Sequence, residues 1–65
     1  MSRFQEFLIE AKTLGGKDVY VSSWLEAGLW KALVVEQGRV AGSVREFTGS
    51  SRSEAIAAAE ADATK

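Results

Sequence analysis

Neither cysteine nor histidine occurs in this 65-residue chain, so no disulfide and no His/Cys zinc site can close its fold. A domain this small buries only about 60% of the surface that its unfolded form exposes. Its stability must come from packing or from an additional interface, and self-association is a common remedy for small scaffolds. The same two absences remove the usual general base and the strongest nucleophile. Ser22, Ser23, Ser43, Ser50, Ser51 and Ser53 fall where turns, caps and strands are expected, and the carboxylates are scattered singly, without metal-ligand spacing. The sequence therefore predicts one non-catalytic domain over residues 1–65, with no cofactor, no metal and no small-molecule substrate.

Lack of cysteine fits a reducing compartment. No run approaches the roughly 18 apolar residues of a membrane span, and no charged-then-apolar start suggests a signal peptide. The expectation is a cytoplasmic protein without membrane contact. Eight basic residues stand against nine acidic ones. Phosphate neutralisation supplies most of a nucleic-acid binder's affinity, so this balance disfavours, without excluding, a nucleic-acid partner.

Along the chain, Phe4, Phe7, Leu8, Ala11 and Leu14 recur at three- and four-residue steps, which predicts an amphipathic helix from Ser2 to Leu14. Ser2 with Gln5 fits a capping box, and Gly15-Gly16 a left-handed stop. Strands are expected over Val19 to Leu25, Leu29 to Glu36 and Arg39 to Phe47. They are joined by a short turn at Glu26-Ala27-Gly28 and a two-residue loop at Gln37-Gly38. After a break at Thr48-Gly49-Ser50, Ser51 with Glu54 offers a second capping box for an alanine-rich helix to about Ala63, its apolar stripe Ala55, Ile56, Ala59 and Ala63. The expected class is α+β, in the order α-β-β-β-α: a three-stranded antiparallel meander with two helices on one face.

That order, with several local matches, resembles the double-stranded RNA-binding domain family. Phe4-Gln5-Glu6-Phe7 is similar to the family's Leu-Asn-Glu-Leu. Tyr20 and Trp30 stand where the family has aromatics in its first two strands. Ser51 to Ala59 resembles the Ser-Lys-Lys-x-Ala-Lys-x-Ala-Ala signature of its second helix. The resemblance implies the fold more than the activity. Of the family's phosphate-gripping basic positions only Arg52 remains, with Ser53 and Ile56 at the others, and Glu54, Glu60 and Asp62 make the helix acidic. Glu26-Ala27-Gly28-Leu29 replaces the family's Gly-Pro-x-His loop. Fold does not carry function with it.

If Gln37-Gly38 closes a hairpin, Glu36 faces Arg39, Val35 faces Val40, Val34 faces Ala41 and Trp30 faces Arg45, which invites a cation–π pair. One sheet face would then carry Val19, Val21, Leu25, Leu29, Lys31, Leu33, Val35, Val40 and Val44. The other would carry Tyr20, Trp24, Trp30, Ala32, Val34, Ala41, Ser43, Arg45 and Phe47. Two helices on one side cover only one face, and the family comparison puts the aromatic set under them. The open aliphatic face would mark an interaction site.

Trp24, Leu25, Leu29, Trp30, Leu33 and Val35 are thus the candidate partner-binding residues, Trp24 and Trp30 bracketing an unusually apolar hairpin tip. The function they suggest is protein contact, as a homodimer or as an inhibitor or accessory factor of a larger complex. Size and composition are similar to those of small phage and mobile-element proteins, anti-CRISPR inhibitors among them. The alternative is double-stranded RNA or DNA binding through the first helix and the N-terminus of the second. Gln5 and Glu6 would then read a minor groove, Arg52 would hold phosphate, and Lys31 and Arg45 would add positive charge.

Overall fold

A computed structural model describes residues 4–38 and 44–65. Strand β1 is Phe4–Leu14, β2 Lys17–Glu26, β3 Leu29–Glu36 and β4 Phe47–Gly49, followed by one helix, α1, Arg52–Ala63. The strands form one antiparallel sheet in the order β1-β2-β3-β4. The architecture is therefore β-β-β-β-α. The expected α-β-β-β-α order with two helices on a three-stranded meander is wrong, because the first segment is a strand.

The reason lies in a double periodicity. Phe7, Ile9 and Ala11 alternate with Leu8, Glu10 and Lys12 as readily as Phe4, Phe7, Leu8 and Ala11 fit a helical stripe. Phe7 and Ile9 are aromatic and β-branched, which suits a pleated surface. The decisive element is Gly15-Gly16. With φ of 56° and 80° the pair forms a two-residue hairpin turn between Leu14 and Lys17, where a helix stop was expected. Pairing runs without interruption from Leu14–Lys17 to Leu8–Ser23. It then shifts at a bulge between Gln5 and Leu8, where Glu6 takes φ of 55°. Ser2, the expected cap, lies outside the described residues.

The second hairpin turns on Ala27-Gly28, at φ of 52° and 81°. Two residues, not three, close it, so Glu26 pairs with Leu29 and Leu25 with Trp30. That one-residue difference in loop length moves β2 by a full face relative to β3. The expected face sets are corrected accordingly. Val19, Val21 and Leu25 share a face with Trp30, Ala32 and Val34, whereas Tyr20 and Trp24 lie with Leu29, Lys31, Leu33 and Val35. Trp24 and Trp30 are on opposite sides of the sheet.

The expected third strand is also displaced. Val44 to Glu46 carry no regular structure, and the strand is Phe47–Gly49, within the expected break. Trp30 stands opposite Gly49, and so not opposite Arg45. The expected pairings of Val35, Val34 and Glu36 involve Val40, Ala41 and Arg39, which lie outside the described residues, as does Ser43. Gly38 takes the expected positive φ, 86°. The Gln37 N–H still donates to the Asp18 carbonyl at 3.1 Å, extending the β2–β3 ladder by one residue.

Helix α1 begins as the capping signal implies. Ser51 is extended, and its hydroxyl accepts from the Glu54 N–H at 3.2 Å. The Glu54 carboxylate is held by the Ser50 hydroxyl at 2.8 Å. Of the stripe, Ala55 and Ala59 are buried and pack on Ala32, with Trp30, Val34, Phe47 and Ile56 around them, while Ala63 is exposed. Small residues on both partners let the helix axis approach the sheet closely. The tightest point is Gly49, where a Cβ would stand 2.6 Å from the Ala55 backbone nitrogen. The core therefore sits between α1 and β2–β4, with Val19 and Val21 completing it.

Candidate protein-binding surface

Helix α1 covers one face of the sheet, and among the described residues no element packs on the other. Leu29, Lys31, Leu33 and Val35 project from β3 onto it, with Tyr20, Ser22 and Trp24 from β2 and Phe7, Ile9 and Ala11 from β1. Phe7 and Ile9 are each 56% exposed, Leu29 51% and Tyr20 43%. Leu33 and Val35 are half-buried by their neighbours. Exposed apolar side chains scattered singly are ordinary on a soluble protein; a contiguous group on one sheet face is not.

Trp24 anchors this face without being exposed. Only 5% of it is accessible. Phe7 stacks on it at a centroid distance of 5.8 Å and 22° between planes, and its indole N–H donates to the Glu26 carboxylate at 3.1 Å. Lys31, opposite Trp24 in the register, lies 3.5 Å from Glu26 and 3.6 Å from Glu46. The charges of Lys31, Glu26 and Glu46 thus neutralise one another beside the tryptophan, and apolar side chains predominate over the rest of the face, with Ser22 and the Thr13–Asp18 hydrogen bond among them.

On the helix side, Arg52 is an internal latch. Its Nη1 donates to the Ser23 hydroxyl at 2.8 Å and its Nη2 to the Glu6 carbonyl at 2.6 Å. The guanidinium carbon stands 4.7 Å from the Trp30 ring centroid. The cation over Trp30 is therefore Arg52 and not Arg45. One side chain ties the start of α1 to β1, β2 and β3, and it satisfies Ser23, which is 1% exposed. At the other end, the Lys12 ammonium donates to Glu60 at 2.8 Å. That hydrogen bond raises the Lys12 pKa above its ordinary 10.5, partial burial opposing it and the charges of Glu60 and Glu10 assisting.

The expected partner-binding residues are divided by this arrangement. Leu29, Leu33 and Val35 share the open face with Trp24, whereas Leu25 and Trp30 lie on the helix side and are half-buried. Phe7, Ile9 and Tyr20 belong to the open face and were not among those residues. Their signal was the alternation of Phe7, Ile9 and Ala11, which a helical reading of the segment hides.

The residues of the nucleic-acid alternative are dispersed. Gln5 borders the β1 bulge and Glu6 lies within it, and neither is on a helix. Lys31 is on the open face, Arg45 lies 3.7 Å from Asp62, and Arg52 is directed inward. Lys17 and Lys65 pair with Glu36 and Asp62. Among the described residues no group of acidic side chains is placed to hold a metal ion, and no helix is long and apolar enough to cross a membrane.

The chain was compared with protein-family models, with curated proteins and with solved structures, and it matches none of them.

Proposed function

We propose that this chain is a non-catalytic protein-binding module whose docking surface is the open face of the sheet. One observation carries the reading: Phe7, Ile9, Tyr20 and Leu29, each at least 43% exposed, lie together on the face that α1 leaves bare. A protein surface of complementary apolar character is the occupant that gains most from covering them, since burial of apolar area drives such association. Electrostatics supports a protein over a nucleic acid. Among the described residues, Lys12, Lys17, Lys31, Arg45 and Lys65 each lie within ion-pair distance of a carboxylate, and Arg52 is engaged within the fold. A module of this kind acts by occupying a site on a larger assembly, as inhibitors and accessory factors do, and the lack of cysteine suits a cytoplasmic setting.

The test is retention of a partner by immobilised variants in extracts of the source cells. Tyr20→Glu and Leu29→Glu alter exposed open-face positions, and Ser53→Glu alters the exposed surface of α1. A protein retained by wild type and Ser53→Glu, but released by both open-face variants, supports the reading. Equal retention by all four, or salt-sensitive retention of nucleic acid in its place, overturns it.

A further inference from the structure

We propose that two copies of this chain pair edge to edge through β1, joining their sheets into one continuous sheet. This stands on the geometry of β1 and not on the open-face reading. β1 is the outer strand of the sheet, with β2 as its neighbour on one side, and it runs for 11 residues without proline. Natural edge strands are commonly short, bulged along their length or studded with charge. β1 has one bulge, near its start, and carries Glu6, Glu10 and Lys12, yet it also presents Phe7, Leu8 and Ile9 in succession: Phe7 and Ile9 on the open side, and Leu8, 42% exposed, on the helix side. Helix α1 packs over β2, β3 and β4. The run Phe7-Leu8-Ile9, apolar on both faces, is more usual in an interior strand, yet here it lies at the margin.

The sequence of β1 also selects one register. Between the bulge and the Gly15-Gly16 turn, the strand pairs regularly from Leu8 to Leu14, and the midpoint of that stretch is Ala11. A two-fold axis through Ala11 keeps both helices on one side of the joined sheet. It sets Glu10 opposite Lys12 of the second copy, Lys12 opposite its Glu10, and Leu8 opposite its Leu14. A slide of one residue along each strand in one direction brings Glu10 against Glu10, and in the other direction Lys12 against Lys12. Like charges directly opposite are destabilising.

The hydrogen-bond phase agrees. In a two-residue hairpin the flanking residues, here Leu14 and Lys17, form a hydrogen-bonded pair, and alternation then turns the N–H and C=O groups of Ile9, Ala11 and Thr13 outward. Ala11 would bond to Ala11, and Ile9 to Thr13, across the axis. Glu10 and Lys12 would fall at the closer, non-hydrogen-bonded positions, with Cα atoms about 4.5 Å apart. The occupant that fits this edge is therefore a second copy of the same strand.

Sedimentation equilibrium over a range of concentrations, with circular dichroism to check folding, tests this on wild type, Ala11→Pro, Glu10→Lys and Leu33→Glu. Proline at Ala11 removes an outward donor and leaves the β1–β2 ladder in place. The expected result is a wild-type dimer, a folded monomer for Ala11→Pro, and dimerisation weakened about tenfold for Glu10→Lys. Leu33→Glu, on the open face, is expected to remain dimeric. A wild type that is monomeric throughout overturns the proposal. So does a dimer that Glu10→Lys leaves unchanged, or one that Leu33→Glu dissociates while folded Ala11→Pro does not. Should Ala11→Pro unfold, the Glu10→Lys result decides.

Discussion

Arg52 reaches Ser23 across the helix–sheet boundary, its guanidinium donating at 2.8 Å to a hydroxyl that is 1% exposed. This pair explains why a lone basic residue at the start of an acidic helix is a structural element here. Removing the guanidinium leaves the Ser23 hydroxyl buried without its donor and frees the Glu6 carbonyl at the bulge. Arg52→Ala is expected to lower stability by about 2 kcal/mol, read as a drop in the urea midpoint. Arg52→Lys restores only part, because a single ammonium cannot serve Ser23, Glu6 and the Trp30 ring with one fork.

Gly49 sets the distance between β4 and α1. A Cβ there would meet the Ala55 nitrogen at 2.6 Å and the Glu54 carbonyl carbon at 3.0 Å, both backbone atoms of the helix's first turn. Gly49→Ala is expected to push the helix outward and cost about 2 kcal/mol. Chemical denaturation beside Ser53→Ala, an exposed change on the same helix, checks this. An unchanged midpoint would mean that the helix docks less closely.

Ala27 adopts φ of 52° without being glycine or asparagine. Two-residue turns of this kind favour Asn-Gly. Ala27→Asn is expected to stabilise the chain by about 0.5–1 kcal/mol, measured as a raised thermal midpoint. A fall would indicate a turn of different shape.

The Lys12–Glu60 pair couples stability to pH. The folded pKa of Lys12 lies above its ordinary 10.5, so the native state holds this proton more tightly than the unfolded chain. Its contribution is complete below 10.5 and disappears as the pH rises through the folded value. The Lys12 side chain is 36% exposed, which limits the pair to about 1 kcal/mol or less. The stability difference between wild type and Lys12→Met is therefore expected to be positive at neutral pH. It should shrink as the pH rises past 10.5 and through the higher folded value.

What was legible in the sequence followed from local chemistry with a single solution. Ser51 and Glu54 allow few alternatives, and α1 starts where they place it. The strand Leu29–Glu36 alternates cleanly, which grouped Leu29, Leu33 and Val35 on one face; that this face is the open one came from the family resemblance and not from the alternation. What was not legible had two local solutions of nearly equal merit. Phe4 to Leu14 satisfies both a 3.6-residue and a two-residue period, and Gly15-Gly16 serves equally as helix stop and hairpin turn. Only sheet pairing with β2, a contact distant from the helical alternative, separates them. The turn at Ala27 failed for another reason. Alanine gives no sign of the left-handed conformation it adopts, so a two-residue loop read as three, and the faces of β2 exchanged. The latch of Arg52 on Ser23 joins residues 29 positions apart and has no local signature.

The central claim, that the open face is where a protein docks, is tested most directly by site-specific photo-crosslinking in source cells. Benzoylphenylalanine placed at Tyr20 or Leu29 probes the open face, and at Ala57 it probes the exposed surface of α1. The account predicts a discrete crosslinked protein from Tyr20 and Leu29 and none from Ala57. Crosslinks from Ala57 alone, or to nucleic acid from the open-face positions, would contradict it.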